Sequence, residues 1–297
     1  MTRPLIVYIP GLLPKPESDV HREALFRCLR HGLQHVDPVI AAQVGDDNFE
    51  LVPWTWGFYS EHRDFRLDAP SVDALLAQTR AGERDLREAR SWSSRIDRSL
   101  RRLTSYAPSI VPYLADARAR VHIADLKRYQ DDVDGAATRV RGMLREVLLA
   151  AFEQKRPTLL LAHSMGSVIA WDTLWELSRR DEHPFRLDTL FTMGSPLGQR
   201  LVRQRLLGHG LPEPSCWPDN IGRWWNASAH GDKTSAFDRL VPVYRGMREL
   251  LDEQEDLLVD NWFRLDGEFN PHSEYGYLAN DTVASRIAAW WSDAPGN

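Results

Sequence analysis

A chain of 297 residues, 43% of them hydrophobic, is long enough to bury one large core, and its formal net charge of −5 lacks the basic footprint of a general nucleic-acid binder. Composition also excludes collagen, disorder and a disulfide scaffold: the two cysteines, Cys28 and Cys216, lie far apart and read as reduced thiols. No run of about 18 apolar residues could span a bilayer, and the apolar run Leu5 to Ile9 is too short for a signal-peptide core, so a cytoplasmic location is expected.

Short β-rich runs alternate with longer helical stretches. Pro4 to Ile9 predicts a buried strand, stopped by Pro10-Gly11. Ser18 to His31 predicts a helix capped by Ser18 or Asp19 and stopped at Gly32. Phe49 to Trp56 predicts a second strand, with Pro53 marking an edge or an end. From Arg63 to Arg120 no strand interrupts a run rich in Arg, Asp and Glu, which reads as a helical insertion over about 60–120. Within it, Trp92, Ile96, Leu100 and Leu103 fall at helical spacing among arginines. Arg139 to Phe152 has one apolar face at helical spacing. Thr158 to Ala162 is an all-apolar strand, followed by a helix from Ser167 to Leu177. Leu187 to Met193 is another strand; Ile221 to Ala227 and Leu257 to Leu265 could each add one, before a last helix from Asp281 to Trp291. Strands separated by helices predict crossover units and a mainly parallel sheet covered on both faces, within a single domain over 1–297. Eleven tryptophans read as core packing, with one or two as candidates to line an acyl pocket.

The strongest local signal is Leu159-Leu160-Leu161-Ala162-His163-Ser164-Met165-Gly166, a buried strand running through a serine into a helix. A sharp strand-to-helix turn presents the hydroxyl above the sheet, and small residues two positions either side, Ala162 and Gly166, let the backbone fold that tightly. The pattern resembles the G-x-S-x-G nucleophile elbow of α/β hydrolases, with Ala in place of the first Gly. Thr192-Met193-Gly194-Ser195-Pro196 resembles the T-x-G-S-P segment of lipase-like members, including the lecithin–cholesterol acyltransferase and GPI-inositol-deacylase branch. The likeness covers roughly residues 120–290 and is poor between about 60 and 115.

That resemblance implies an α/β-hydrolase fold and a triad in the chain order Ser, acid, His. The order leaves His183, His209, His230 and His272 as possible bases. His272, in Asn270-Pro271-His272-Ser273-Glu274-Tyr275, lies between the last apolar run and the final helix, where this fold carries its base. Asp232, after Trp224-Trp225-Asn226, matches the acid of a W-x-N…D pattern; Asp238 is the runner-up and Asp219 the third choice. The resemblance assigns the oxyanion hole to the N–H of Met165 and a donor from the loop after the first strand. Pro10 has no N–H, which leaves Leu12 or Gly11 for that donor. The Asn226-Ala-Ser sequon reads as accidental.

The expected activity is cleavage of a small-molecule carboxylic or lipid ester through an acyl-enzyme on Ser164, with no cofactor and no metal. Acyl transfer on the same triad and a non-catalytic binding protein are the alternatives, with a peptidase a weaker third. The 60–120 insertion is expected to cap the Ser164 mouth, and peripheral membrane contact through its apolar stripe is a lesser expectation. Oligomeric state is not legible.

Overall fold

The apolar runs become strands, and what joins them sorts onto two faces. A computed structural model describes residues 3–91, 117–235 and 239–294, with 117–123 as backbone. In chain order the elements are β1 (Leu5–Ile9), α1 (Ser18–Val36), α2 (Pro38–Gln43), β2 (Phe49–Leu51), α3 (Trp54–Tyr59), α4 (Ala69–Leu76), α5 (Glu83–Ala89), α6 (Ala117–Gln130) and α7 (Ala136–Glu153). They continue as β3 (Thr158–His163), α8 (Met165–Trp175), β4 (Leu187–Met193), α9 (Arg200–Arg203), β5 (Ile221–Ala229), β6 (Glu253–Val259), the short pair β7 (Arg264–Leu265) and β8 (Glu268–Phe269), α10 (Glu274–Leu278) and α11 (Asp281–Asp293).

Six strands form one sheet in the order β2-β1-β3-β4-β5-β6, and every neighbouring pair is parallel. The unbroken apolar run of β3 follows from burial on both sides. Leu159 and Leu161 join a core with Leu25 and Leu29 of α1 and Ile287 of α11. Leu160 and Ala162 point the other way, into a core with Val140 and Leu144 of α7 and Val168 of α8. The period of two along the strand thus divides one apolar run between two cores.

Several boundaries differ from the sequence reading. The second strand is an edge strand, as Pro53 suggested, but it ends at Leu51 rather than Trp56, because a helix begins directly after Pro53. Trp54 is fully buried there, and its indole N–H donates to Pro10 O at 2.9 Å. Gly32 does not stop the first helix. A Cβ at Gly32 would lie 2.9 Å from Leu278 O and 3.0 Å from Ala284 Cβ, so its small size serves packing against α10 and α11. The helix ends at Val36 because the Asp37 carboxylate caps α2, accepting from the N–H groups of Val39 and Ile40, with Pro38 in the first position. The helix expected from Ser167 already begins at Met165, and the last sheet strand is Glu253–Val259 rather than Leu257 to Leu265.

Of the expected insertion, α4 and α5 are described, while the stripe Trp92 to Leu103 lies outside the described residues. The end of α5 reaches the sheet's carboxyl edge: a Cβ on Gly231 would lie 3.1 Å from Ala89 Cα. Among the described residues no helix is long and apolar enough to cross a membrane.

Candidate active site

The connection from β1 to β2 carries α1 and α2 on one face, and the connection from β2 to β3 carries α7 on the other. Strand order therefore reverses between β1 and β3, which opens a crevice beyond their carboxyl ends. The loops that leave these two strands carry Gly11-Leu12 and Ser164.

Ser164 sits between β3 and α8 with φ 52° and ψ −122°, a region that costs a side-chain-bearing residue about 1–3 kcal/mol. Surrounding contacts hold it there. Its N–H donates to Met193 O at 2.9 Å. Its carbonyl accepts from the Ser167 N–H at 3.0 Å and from the Ser167 hydroxyl at 2.6 Å. Ser167 in turn shares a 2.7 Å hydrogen bond with Ser195 of the T-x-G-S-P segment. The turn also needs Gly166, where a Cβ would stand 2.4 Å from Ile9 O and 2.8 Å from Pro10 O. Gly11 is equally close: a Cβ there would fall 2.8 Å from Ser164 Cβ.

Ser164, His272 and Asp232 meet although 108 and 40 positions separate the bonded pairs. The Asp232 carboxylate can only accept, so His272 Nδ1–H donates to its Oδ2 at 2.9 Å. That leaves Nε2 with a lone pair, which accepts from the Ser164 hydroxyl at 3.0 Å. Asp232 is 0% exposed. Burial alone would raise its pKa. The positive charge His272 can carry, its hydrogen bond, and those from Tyr277 and the Thr234 N–H outweigh burial and hold the carboxyl below its ordinary value. Tyr277 donates at 2.8 Å to the same Oδ2, and the Thr234 N–H donates to Oδ1 at 2.8 Å. Gly194, with φ 57°, fits the remaining space: a Cβ would lie 3.0 Å from both Asp232 Oδ2 and His272 Nδ1.

The other expected groups are elsewhere or undescribed. Asp219 pairs with Arg179 at 2.7 Å, His230 pairs with Asp260 at 2.8 Å, and Asp238 lies outside the described residues. Strand β5 runs on to Ala229, two residues past its expected end at Ala227, so Asp232 follows almost directly. The Asn226 side chain is buried between Thr192 and Asp256, out of reach of any glycan. Met165 opens α8, where an N–H has no intrahelical acceptor.

A second polar cluster, invisible in the sequence, adjoins the first. Glu274 is buried two residues after His272. It accepts from Tyr8 of β1 at 3.1 Å, from Lys15 of the loop after β1 at 2.7 Å, and from His21 of α1 at 3.0 Å. Burial would raise its pKa, but the Lys15 charge, the His21 interaction and His163 hold it well below the ordinary carboxylate range. His163, the residue before Ser164, donates from Nε2 to the His272 carbonyl at 2.9 Å. Burial first, and the His272 charge second, push His163 down to about 3, so it stays a neutral strut. Glu274 thus ties β1, its loop and α1 to the segment that bears His272.

Replacing Glu274 with Gln is expected to lower thermal stability and to loosen the loop that bears His272. A carboxylate with a depressed folded pKa stabilises above its unfolded value and loses that contribution as pH falls through the folded one. The melting-temperature gap between wild type and Glu274→Gln should therefore be widest near neutrality and close in acid. A gap unchanged across that range would show that the charge is not what Glu274 supplies.

Among the described residues no group of three or more His, Cys, Asp or Glu side chains is arranged to hold a metal ion. Comparison of the chain with protein-family models, curated proteins and solved structures finds no match.

Proposed function

We propose that this chain is a serine hydrolase of the α/β-hydrolase type that cleaves carboxylic esters through an acyl-enzyme on Ser164. One observation carries the reading: an unbroken hydrogen-bond relay from a serine on a strained strand-to-helix turn, through His272, to a fully buried carboxylate. A helix-capping serine needs neither the strained backbone nor the buried acid. The parallel sheet with its order reversal beside Ser164 supports the same fold type.

The relay dictates the steps. Ser164 Oγ attacks the ester carbonyl carbon while its proton passes to His272 Nε2. The carbonyl π pair moves onto oxygen, and the N–H groups of Met165 and Leu12 are the proposed donors to that oxyanion. Collapse expels the alcohol oxygen, which takes the proton from Nε2. Water then attacks the acyl carbon and gives its proton to Nε2; the C–Oγ bond breaks, and Oγ regains the proton. Throughout, Asp232 holds Nδ1–H and stabilises the imidazolium.

The test is covalent labelling by a fluorophosphonate together with turnover of p-nitrophenyl esters from acetate to palmitate. Labelling confined to Ser164 and saturable turnover of some member are expected. A folded protein that neither labels nor turns over any ester would leave a non-catalytic binding protein as the better reading. Adding a competing alcohol separates hydrolysis from acyl transfer by the product formed.

A further inference from the structure

The mechanism leaves a large cavity unused. It has a volume of about 490 Å³, within the range of small-molecule sites, and none of Ser164, Asp232 or His272 lines it. It opens beside α8, where Trp171 stands seven residues past Ser164, about 10 Å along the helix axis at 1.5 Å per residue. Trp171, Trp217 and Tyr244 form one wall, with ring centroids 4.9–6.1 Å apart in every pairing.

Three residues of this lining each carry a buried donor that lacks a partner among the described residues. Trp171 Nε1, Trp217 Nε1 and Arg203 Nε are each buried with no acceptor among the described residues, and all three residues line the cavity. Trp171 is 1% exposed, so water does not reach its ring from outside. An unsatisfied buried N–H costs about 1–3 kcal/mol, and three around one cavity mark a place where an acceptor belongs. The hydroxyl of Tyr244 donates to Leu197 O at 2.8 Å and accepts from none of the three.

The walls are tied in place. The Leu207 N–H donates to Asp172 at 2.9 Å, which fixes one side. Arg179 donates to Trp217 O at 2.8 Å, and the Trp175 indole donates to Ser215 O at 3.1 Å, which fix the other. Charge on the lining favours an anion: Arg200 and Arg203 stand against the single carboxylate of Glu213. Apart from Gln204, His209 and Cys216 the rest is aromatic and aliphatic, a poor medium for a doubly charged head such as a phosphate monoester.

We infer that this cavity is a ligand site, separate from Ser164, for a monocarboxylate with an apolar body, such as an aryl-alkyl or medium-chain acid. The carboxylate accepts from Arg203 and the two indole N–H groups, and the body lies against the aromatic wall. The inference rests on the cavity and its donors and is independent of the ester chemistry.

Calorimetry or ligand-observed NMR on the full chain tests it, with 3-phenylpropionate and octanoate as probes and 3-phenylpropanol as the uncharged control. Saturable binding of a carboxylate is expected, at least tenfold tighter than the alcohol. Arg203→Gln and Trp217→Phe, which keep most of the bulk, should each weaken the acid about tenfold and leave the alcohol unchanged. Ser164→Ala should leave both as they are. Equal affinity for acid and alcohol, or indifference to Arg203→Gln and Trp217→Phe, would overturn the assignment. Binding lost in Ser164→Ala alone would move the carboxylate to the triad and overturn it equally. Failure of ester turnover touches none of these readouts.

Discussion

Ser164→Ala should abolish ester turnover, by about four to six orders of magnitude, while the protein melts within a few degrees of wild type. The loss follows because, among the described residues, Ser164 Oγ is the hydroxyl bonded to His272 Nε2. The fold survives because the contacts that hold the elbow are backbone ones. The Ser164 N–H to Met193 O and the Ser164 carbonyl to Ser167 do not involve the deleted oxygen. Alanine carries the same Cβ, so the backbone strain at φ 52° is no worse than before. His272 is 27% exposed on its side chain, so its freed nitrogen can turn to water. Circular dichroism and thermal melting check the fold, and p-nitrophenyl ester assays check the rate. A folded Ser164→Ala protein with wild-type turnover would remove the mechanism entirely.

What the sequence made legible was local. The elbow could be read because a buried strand, a serine, a glycine and a helix follow one another directly along the chain, and each has a steric reason to be there. The glycine's reason turned out to be longer-range than its motif: Gly166 is pressed against the carbonyl of Ile9, in a different strand. Sheet order and direction were legible only as parallel alternation, since the pairing of β1 with both β2 and β3 depends on packing of α1 and α7 on opposite faces. The Glu274 cluster was not legible. Its hydrogen bonds join residues 266, 259 and 253 positions apart, and no periodicity connects Tyr8, Lys15 and His21 to a glutamate in a distant loop. His163 illustrates the same limit. Chain order set it aside as a base, but nothing in the order could suggest that it braces the His272 backbone. Gly32 was misread because local rules treat glycine as punctuation, whereas here it serves close packing. Pro53 was read as marking an edge or a strand end, and β2 is the edge strand and ends just before it.

Asp232→Asn should reduce turnover by about two to four orders of magnitude, more than the loss of a single hydrogen bond would. The carboxylate now accepts from His272 Nδ1, Tyr277 and the Thr234 N–H at once. An amide has one accepting oxygen and one donating nitrogen, so it cannot serve both ends of that set. If its oxygen keeps the Thr234 N–H, its NH₂ faces His272 and Tyr277. The ring is then driven to the tautomer that bears its proton on Nε2. Nε2 would then donate to Ser164 instead of accepting, and the serine would keep its proton. Stability should report the same substitution with a definite pH dependence. Because the folded Asp232 carboxyl lies below its ordinary value, its contribution is complete above the unfolded carboxylate pKa of about 3.9 and fades as pH falls through the folded one. The melting-temperature difference between wild type and Asp232→Asn should therefore be full at neutral pH and shrink in acid. Turnover near wild type in Asp232→Asn, with loss in Asp238→Asn, would transfer the acid's role to Asp238 and leave the Ser164–His272 pair standing.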